Sequence, residues 1–550
     1  MDNQRLIFFI IFSFSILLLW DGWQKEHYPA QPAVKNQAAP TSASAPSPQS
    51  LSGAVVGAGS SEIAENKEEA LQTGGRIKVR TDVFLAEIDT IGGDLRHLEL
   101  LKHHDTDDKT KNFTLYEDKG ARTYVAQSGL MGQGLPNHKS LFTAKNTTYD
   151  IAENESQVQV RLDWVGADGL GVGKIYTFHK NSYLIEVGYE ITNNSANRIS
   201  PHAYYQVLRD GKPPQGDPKF ITTYTGAAVY TDKEKFQKID FSDIDKGKDK
   251  YRKNADDGWI AMLQHYFFSA WLPDGNQPRE FYTRKSGGLY AAGLIVPVAA
   301  IEPGAKLNTK MTLYAGPQEQ DNISKLAPGL DLVVDYGMLT IIAIPIFWVV
   351  QLINKFTQNW GISIILLTVL IKLLFYPLSA KSYQSMAAMR MISPKLQKLK
   401  EQYGDDRQRL HQAMMTLYKT EKINPLGGCL PVVVQMPVFI ALYWVLLYSV
   451  EMRQAPFMAW IHDLSAPDPF YVLPIIMGAT MIIQTKLNPT PPDPIQAKVM
   501  MIMPVAFSVF FFFFPAGLVL YWLVNNVLSI AQQWHITRRV ERAKVTKGHA

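Results

Sequence analysis

The sequence predicts a polytopic α-helical membrane protein that carries a large extracytoplasmic β-sandwich domain. Three observations lead there. Apolar runs of membrane length crowd the chain from Met338 onward, whereas the stretch from Trp23 to Gly337 reads as soluble. Charge divides at the same place: residues 21–337 carry 35 Lys and Arg against 40 Asp and Glu, and residues 338–550 carry 19 against 9. The soluble stretch, finally, alternates apolar and polar residues with period two, which is the signature of half-buried strands. The formal net charge of +5 is therefore concentrated in the membrane half and is not a uniformly basic surface, which argues against DNA as a partner and for positive-inside loops.

The elements follow in chain order. Leu6–Trp20 is an apolar run behind Arg5, and the bulky, polar DGWQKEHY after it offers no small-x-small cleavage site. Residues 1–22 are therefore expected to be an uncleaved signal anchor with a cytoplasmic N-terminus. Residues 23–62 include a Pro-, Ala- and Ser-rich tether. Residues 63–335 are the sandwich. Val158, Val160, Leu162 and Trp164 share one strand face, as do Tyr183, Ile185, Val187, Tyr189 and Ile191. His103 and His104 lie beside an Asp, but adjacent strand residues point to opposite faces, which favours surface positions over a metal site. The single cysteine, Cys429, excludes an intramolecular disulfide and reads as a small buried thiol.

Charge parity sets the number of crossings. The segment 379–425 holds nine basic and four acidic residues and belongs in the cytoplasm. With the sandwich outside, an odd number of crossings must separate the two, so Met338–Ile353 and Gly361–Leu378 cannot both span. The first contains Pro345 and is assigned to residues 336–358 as an interfacial helix on the outer surface. The second is a span. The last apolar run, Val499–Ile530, would be about 48 Å long as one helix against a bilayer core of roughly 30 Å. It is divided by Pro515-Ala516-Gly517, which returns the basic tail 535–550 to the cytoplasm. The core 359–534 then has spans near 361–378, 427–450, 470–485, 499–514 and 516–533, making six crossings with the anchor. Between the first two spans, residues 379–426 form a cytoplasmic helical hairpin, with Gly404 closing one helix and Asp405 capping the next.

Lys372 is the one formally charged residue inside the five core spans, their ends excluded. Such a charge costs about 2.5–3.5 kcal/mol on insertion scales. It could snorkel, because about 9 Å of helix separates it from Leu378. Alternatively it lines a hydrated cavity shared with Thr368, Gln435, Gln484, Asn525 and Asn526, all of which need partners away from lipid. No intramembrane carboxylate or histidine accompanies it, which weighs against a proton-coupled transporter. Ser363 is about 13 Å away along the helix, too far for a nucleophilic dyad. No P-loop or metal-ligand spacing occurs, so no enzyme activity and no cofactor is called for.

The stretches NPLGGCLPVVVQMPVFIALYW (Asn424–Trp444), APFMAWIHDLSAPDPFYVLPIIMG (Ala455–Gly478) and FPAGLVLYWLVNN (Phe514–Asn526) closely resemble the YidC membrane protein insertases of Gram-negative bacteria, within the YidC/Oxa/Alb family. In the outer domain, GWIAMLQHYFFSAWLP (Gly258–Pro273) and MTLYAGP (Met311–Pro317) do the same. The resemblance implies a periplasmic β-supersandwich, an interfacial helix and five core helices around a hydrophilic groove. It implies a multi-pass protein of the inner membrane that acts as insertase and chaperone for nascent inner-membrane proteins. The lipid bilayer, the Sec translocase and the ribosome are its implied partners. Lys372 stands where the family usually has arginine, keeping the charge without the planar fork. Thr368 matches a groove residue, and Tyr521-Trp522 stands at a usual aromatic pair. Gln435, Gln484 and Asn526 complete the expected groove. A membrane transporter with an extracytoplasmic sensing domain and a passive scaffold for other translocase subunits are the alternative readings.

Overall fold

The computed structural model describes residues 71–120, 122–214, 223–403, 406–421, 423, 430–488 and 494–548. The expected anchor and tether lie outside these residues, as do Gly404, Asp405 and Cys429. The described chain falls into two compact units on either side of Val334 and Asp335.

The first unit contains one sheet of ten strands and one of nine. Period-two alternation becomes burial directly. In Gln157–Val165, Val160 and Leu162 are buried while Gln159, Arg161 and Asp163 are exposed. In Leu184–Asn193, Ile185, Val187, Tyr189 and Ile191 are buried. They share one core with Ala203, Tyr205 and Val207 from the other sheet, so the two sheets close on each other as a sandwich. Tyr124–Met131 departs from the pattern, being buried at all eight positions. Its outward face is covered, and the polar groups there pair with one another across strands. Gln127 donates to Asp94 (2.8 Å) and accepts from Gln206 (2.8 Å), whose Oε1 accepts from the Tyr282 hydroxyl at 2.9 Å. A hydrogen-bonded polar row of this kind is tolerated in an interior, although Asp94 Oδ1 at its end has no protein donor. Gly293 lets it pass: a Cβ there would sit 2.7 Å from both Gln206 Cβ and the Tyr282 hydroxyl. His103 is half-buried, with Nε2 3.2 Å from the Tyr183 hydroxyl, and His104 is exposed. Among the described residues no cluster has the makings of a metal site.

His138 makes this unit sensitive to acid. Burial, and then the nearby cations Arg284, Lys139, Lys174 and Arg96, push its imidazole down to about 4, and its ring lies against the Tyr204 hydroxyl. The folded state thus holds His138 neutral where the unfolded chain protonates it, between about pH 4 and 6.5. In that window the unfolded state binds more protons, so stability falls as pH drops from about 6.5 to 4, by about 2–3 kcal/mol for this residue. Denaturant unfolding of the protein at pH 7.5 and 5 should show the loss, and His138→Asn should flatten it; an unchanged slope in the variant would assign the acid sensitivity elsewhere.

The second unit is helical. Its main elements are α1 (Thr340–Thr357), α2 (Trp360–Leu374), α3 (Tyr376–Tyr403), α4 (Arg407–Thr420), α5 (Leu430–Tyr448), α6 (Val472–Leu487), α7 (Pro494–Phe510) and α8 (Ala516–Gly548). Asn359 caps α2 by accepting from Ile362 N. Rather than running on to Leu378, α2 stops at Leu374, and the chain bends by 68° into α3. Pro377 accounts for the break, because a proline fits the first turn of a new helix and not the interior of an old one. Within the hairpin of α3 and α4 the N-cap is Asp406, one residue later than expected; its carboxylate accepts from Gln408 N and Arg409 N. These two amides are the orphan donors that a cap must satisfy. An exposed ion pair, Lys395 with Glu421 at 2.6 Å, joins the two arms and contributes little on its own.

Length and composition pick out membrane candidates unevenly. Among the described residues, Gly337–Thr357 is the one straight stretch long and apolar enough to cross by itself, and α2 with α3 qualifies only as a bent pair. Val434–Tyr448, Val472–Leu487 and Ala497–Phe513 are apolar but shorter. The segment that charge parity lays on the surface is thus the one that looks most like an isolated span.

Candidate functional site

Five helices of the second unit, α2, α3, α5, α6 and α8, enclose a cavity of about 330 Å³. Each side chain reaches it because helical periodicity stacks it with others on one face. On α8 the spacing of Trp522, Asn525, Asn526 and Ser529 is that of a single stripe. Gln435 and Phe439 on α5 are one turn apart, as are Met481 and Thr485 on α6, where Gln484 stands beside them. Lys372 enters from the last turn of α2, where a cation is also favoured by the helix dipole. The α3 helix, redirected by the bend, brings Ser379, Ser382, Tyr383 and Met386.

Lys372 is 5% exposed, so its charge is held inside the bundle instead of reaching out to bulk water. Its ammonium donates to the Ser529 hydroxyl at 2.8 Å. That hydroxyl donates to the Asn525 carbonyl at 2.7 Å, and the Asn525 side chain accepts from Gln435 Nε2 at 2.7 Å. Asn526 lies 3.4 Å from Thr480 on α6. Around these polar groups the wall is aromatic: Phe439 stands edge-on to Trp522 with ring centroids 4.6 Å apart and stacks on Tyr521 at 6.0 Å. None of the lining residues carries a carboxylate, and Lys372 is the sole formally charged group among them. The indole N–H of Trp522 is buried without a protein acceptor.

Six of the seven residues expected in the groove, Lys372, Gln435, Gln484, Tyr521, Trp522 and Asn526, line this one cavity. Thr368 does not. It is 1% exposed, one turn before Lys372, and its hydroxyl is turned back onto the Ile364 carbonyl at 2.6 Å. This i−4 bond uses the hydroxyl proton inside its own helix, and Thr368 is not among the residues that line the cavity. Ser379, Ser382, Tyr383 and Ser529 escape a sequence reading. The first three fall beyond the bend, in a segment whose charge places it in the cytoplasm. Ser529 has a weak signal, because it continues the polar spacing from Asn525 and Asn526.

The cavity is suited to binding rather than to covalent chemistry. It joins one uncompensated cation, several amides and hydroxyls and an aromatic wall, and its one serine beside a lysine, Ser529, gives its proton to the Asn525 carbonyl and not to Lys372, so it is not arranged as an activated nucleophile.

Comparison with known proteins agrees with this architecture. The family described as YidC periplasmic domain matches residues 76–349, and that described as 60Kd inner membrane protein matches residues 352–544. A protein of Methylobacillus flagellatus named membrane protein insertase YidC is 57% identical over 549 residues, covering 100% of this chain and 99% of its own. One of the same name from Nitrosospira multiformis is 56% identical over 558 residues, with 98% of each chain covered. With full-length identity at this level and both halves matched, the chain belongs to the YidC family of membrane protein insertases.

Proposed function

We propose that this protein inserts other proteins into the inner membrane, and helps them fold and assemble there, by receiving a client's short polar tail in the cavity around Lys372. The observation that carries the reading is a buried ammonium with a neutral partner and no carboxylate among the residues around it. A client carboxylate about 4 Å from that ammonium is attracted by roughly 4 kcal/mol at an effective dielectric near 20, before desolvation is counted. That is enough for a transient hold. Moving the client's apolar segment into lipid then supplies the main driving force, along the exposed apolar surface of α5 and α7, to which Val434, Ile440, Met501 and Val505 contribute. No nucleotide or metal enters the scheme.

In this scheme the chain crosses the membrane six times, with both termini in the cytoplasm and the sandwich in the periplasm. The α1 helix lies along the outer surface: one face, with Ala343, Phe347 and Val350, is buried, while Ile341, Trp348 and Phe356 are exposed for lipid. The hairpin of α3 and α4 and the basic end of α8 receive the ribosome, whose RNA is a polyanion. The protein works alone or beside the Sec translocase.

The test is reconstitution. A short single-span client with an acidic tail, synthesised onto liposomes holding the protein, should gain protease protection that protein-free liposomes do not confer. Equal protection in both would sink the insertase reading.

A further inference from the structure

We infer that Ser529 is the positioning residue of the groove: it holds the Lys372 ammonium across the cavity without neutralising it, and so makes the site selective for client tails that bear carboxylates. The inference rests on the insertase reading above. Its basis is the direction of the hydrogen bonds. Ser529 has one proton, and that proton is given to the Asn525 carbonyl of its own helix at 2.7 Å. The hydroxyl therefore presents lone pairs to the cavity, and one of them accepts from Lys372 at 2.8 Å. Ser529 is 3% exposed, so the junction of α2 and α8 is fixed at one oxygen.

A neutral acceptor has a consequence that an acidic one would not. An aspartate at this position would form a buried ion pair with Lys372 and cancel the field that a client carboxylate feels. Serine orients the ammonium and leaves its charge unspent. A client carboxylate then takes one of the ammonium's three protons, and an ion–ion hydrogen bond is stronger than the bond that the same ammonium gives to a neutral hydroxyl.

The experiment uses two clients that differ only in a tail carrying two Asp or two Asn, inserted into proteoliposomes of the full chain. It reads the ratio of acidic-tail to neutral-tail insertion. Ser529→Asp should lower that ratio about tenfold, Ser529→Thr should keep it, and the exchange Lys372→Ser with Ser529→Lys should recover part of it. A ratio unchanged in Ser529→Asp, with Lys372→Ala lowering it, would overturn the role of Ser529 and leave the groove reading standing. A ratio unchanged in Lys372→Ala as well would overturn both. Should Ser529→Asp fail to fold, Ser529→Ala decides in its place: a lowered ratio that Thr restores supports the positioning role, and an unchanged ratio refutes it.

Discussion

Lys372→Glu is expected to reduce insertion of an acidic-tailed client at least tenfold, whereas Lys372→Arg should insert it about as well as the parent. Reversal does more than deletion. It replaces an attraction of roughly 4 kcal/mol with a repulsion of similar size in the same cavity, and it leaves the Ser529 hydroxyl, whose proton is committed to Asn525, facing an anion. Arginine keeps the charge and adds a planar donor set that can grip a carboxylate bidentately. Lys372→Ala should fall between the two, because it removes the attraction without adding a repulsion. The measurement is protease protection in proteoliposomes at matched protein content. Near-normal insertion by Lys372→Glu would mean that the charge is a packing detail and that another surface handles the client.

A second large effect is expected far from the groove. Asp468→Ala should destabilise the helical unit by about 3–4 kcal/mol, visible as early thermal unfolding in detergent and as low abundance in the membrane. Asp468 is 1% exposed, and three donors converge on its carboxylate: Trp460 Nε1 at 3.0 Å, Phe470 N at 3.0 Å and Leu473 N at 2.7 Å. The last two amides lead into α6. The same loop caps α8, since Ala516 N donates to the Ala466 carbonyl at 2.8 Å and Gly517 N to the Leu464 carbonyl at 2.9 Å. A helix start buried without such acceptors would leave several amides unsatisfied. Asp468→Asn, which keeps one carbonyl acceptor, should cost less than Ala. If Asp468→Ala unfolds with the parent, the loop is not what anchors the two helices.

Much of the architecture was legible because it depends on local patterns. Alternation in Gln157–Val165 and Leu184–Asn193 placed the right residues in the sandwich core. Tyr124–Met131 was not legible in that way, because a strand covered on both faces loses its alternation. In the helical unit, the break between α7 and α8 runs from a tight turn at Phe511–Phe513 to Pro515, where proline and glycine announce it. Pro377 marks the break after Leu374, but apolarity that continues through Phe375 and Tyr376 masks it. The shift of the hairpin cap from Asp405 to Asp406 is a choice between two adjacent, equally good caps, and local chemistry does not separate them.

The sequence by itself determined that one cation stands among apolar helices without a carboxylate near it in the chain, because charge and hydropathy are properties of composition and order. It also marked Thr368, Gln435, Gln484, Asn525 and Asn526 as polar groups in need of partners away from lipid. Only the tertiary structure decided who those partners are. The bend after Leu374 carries Ser379 and Tyr383 to the cavity, the rotation of α8 puts Ser529 opposite Lys372 and Asn525 opposite Gln435, and the Thr368 hydroxyl turns away to its own backbone. The physical reason is that a hydrogen bond between helices is fixed by their crossing and azimuth. Those are set by packing among residues distant in sequence, on which the local period of each helix is silent.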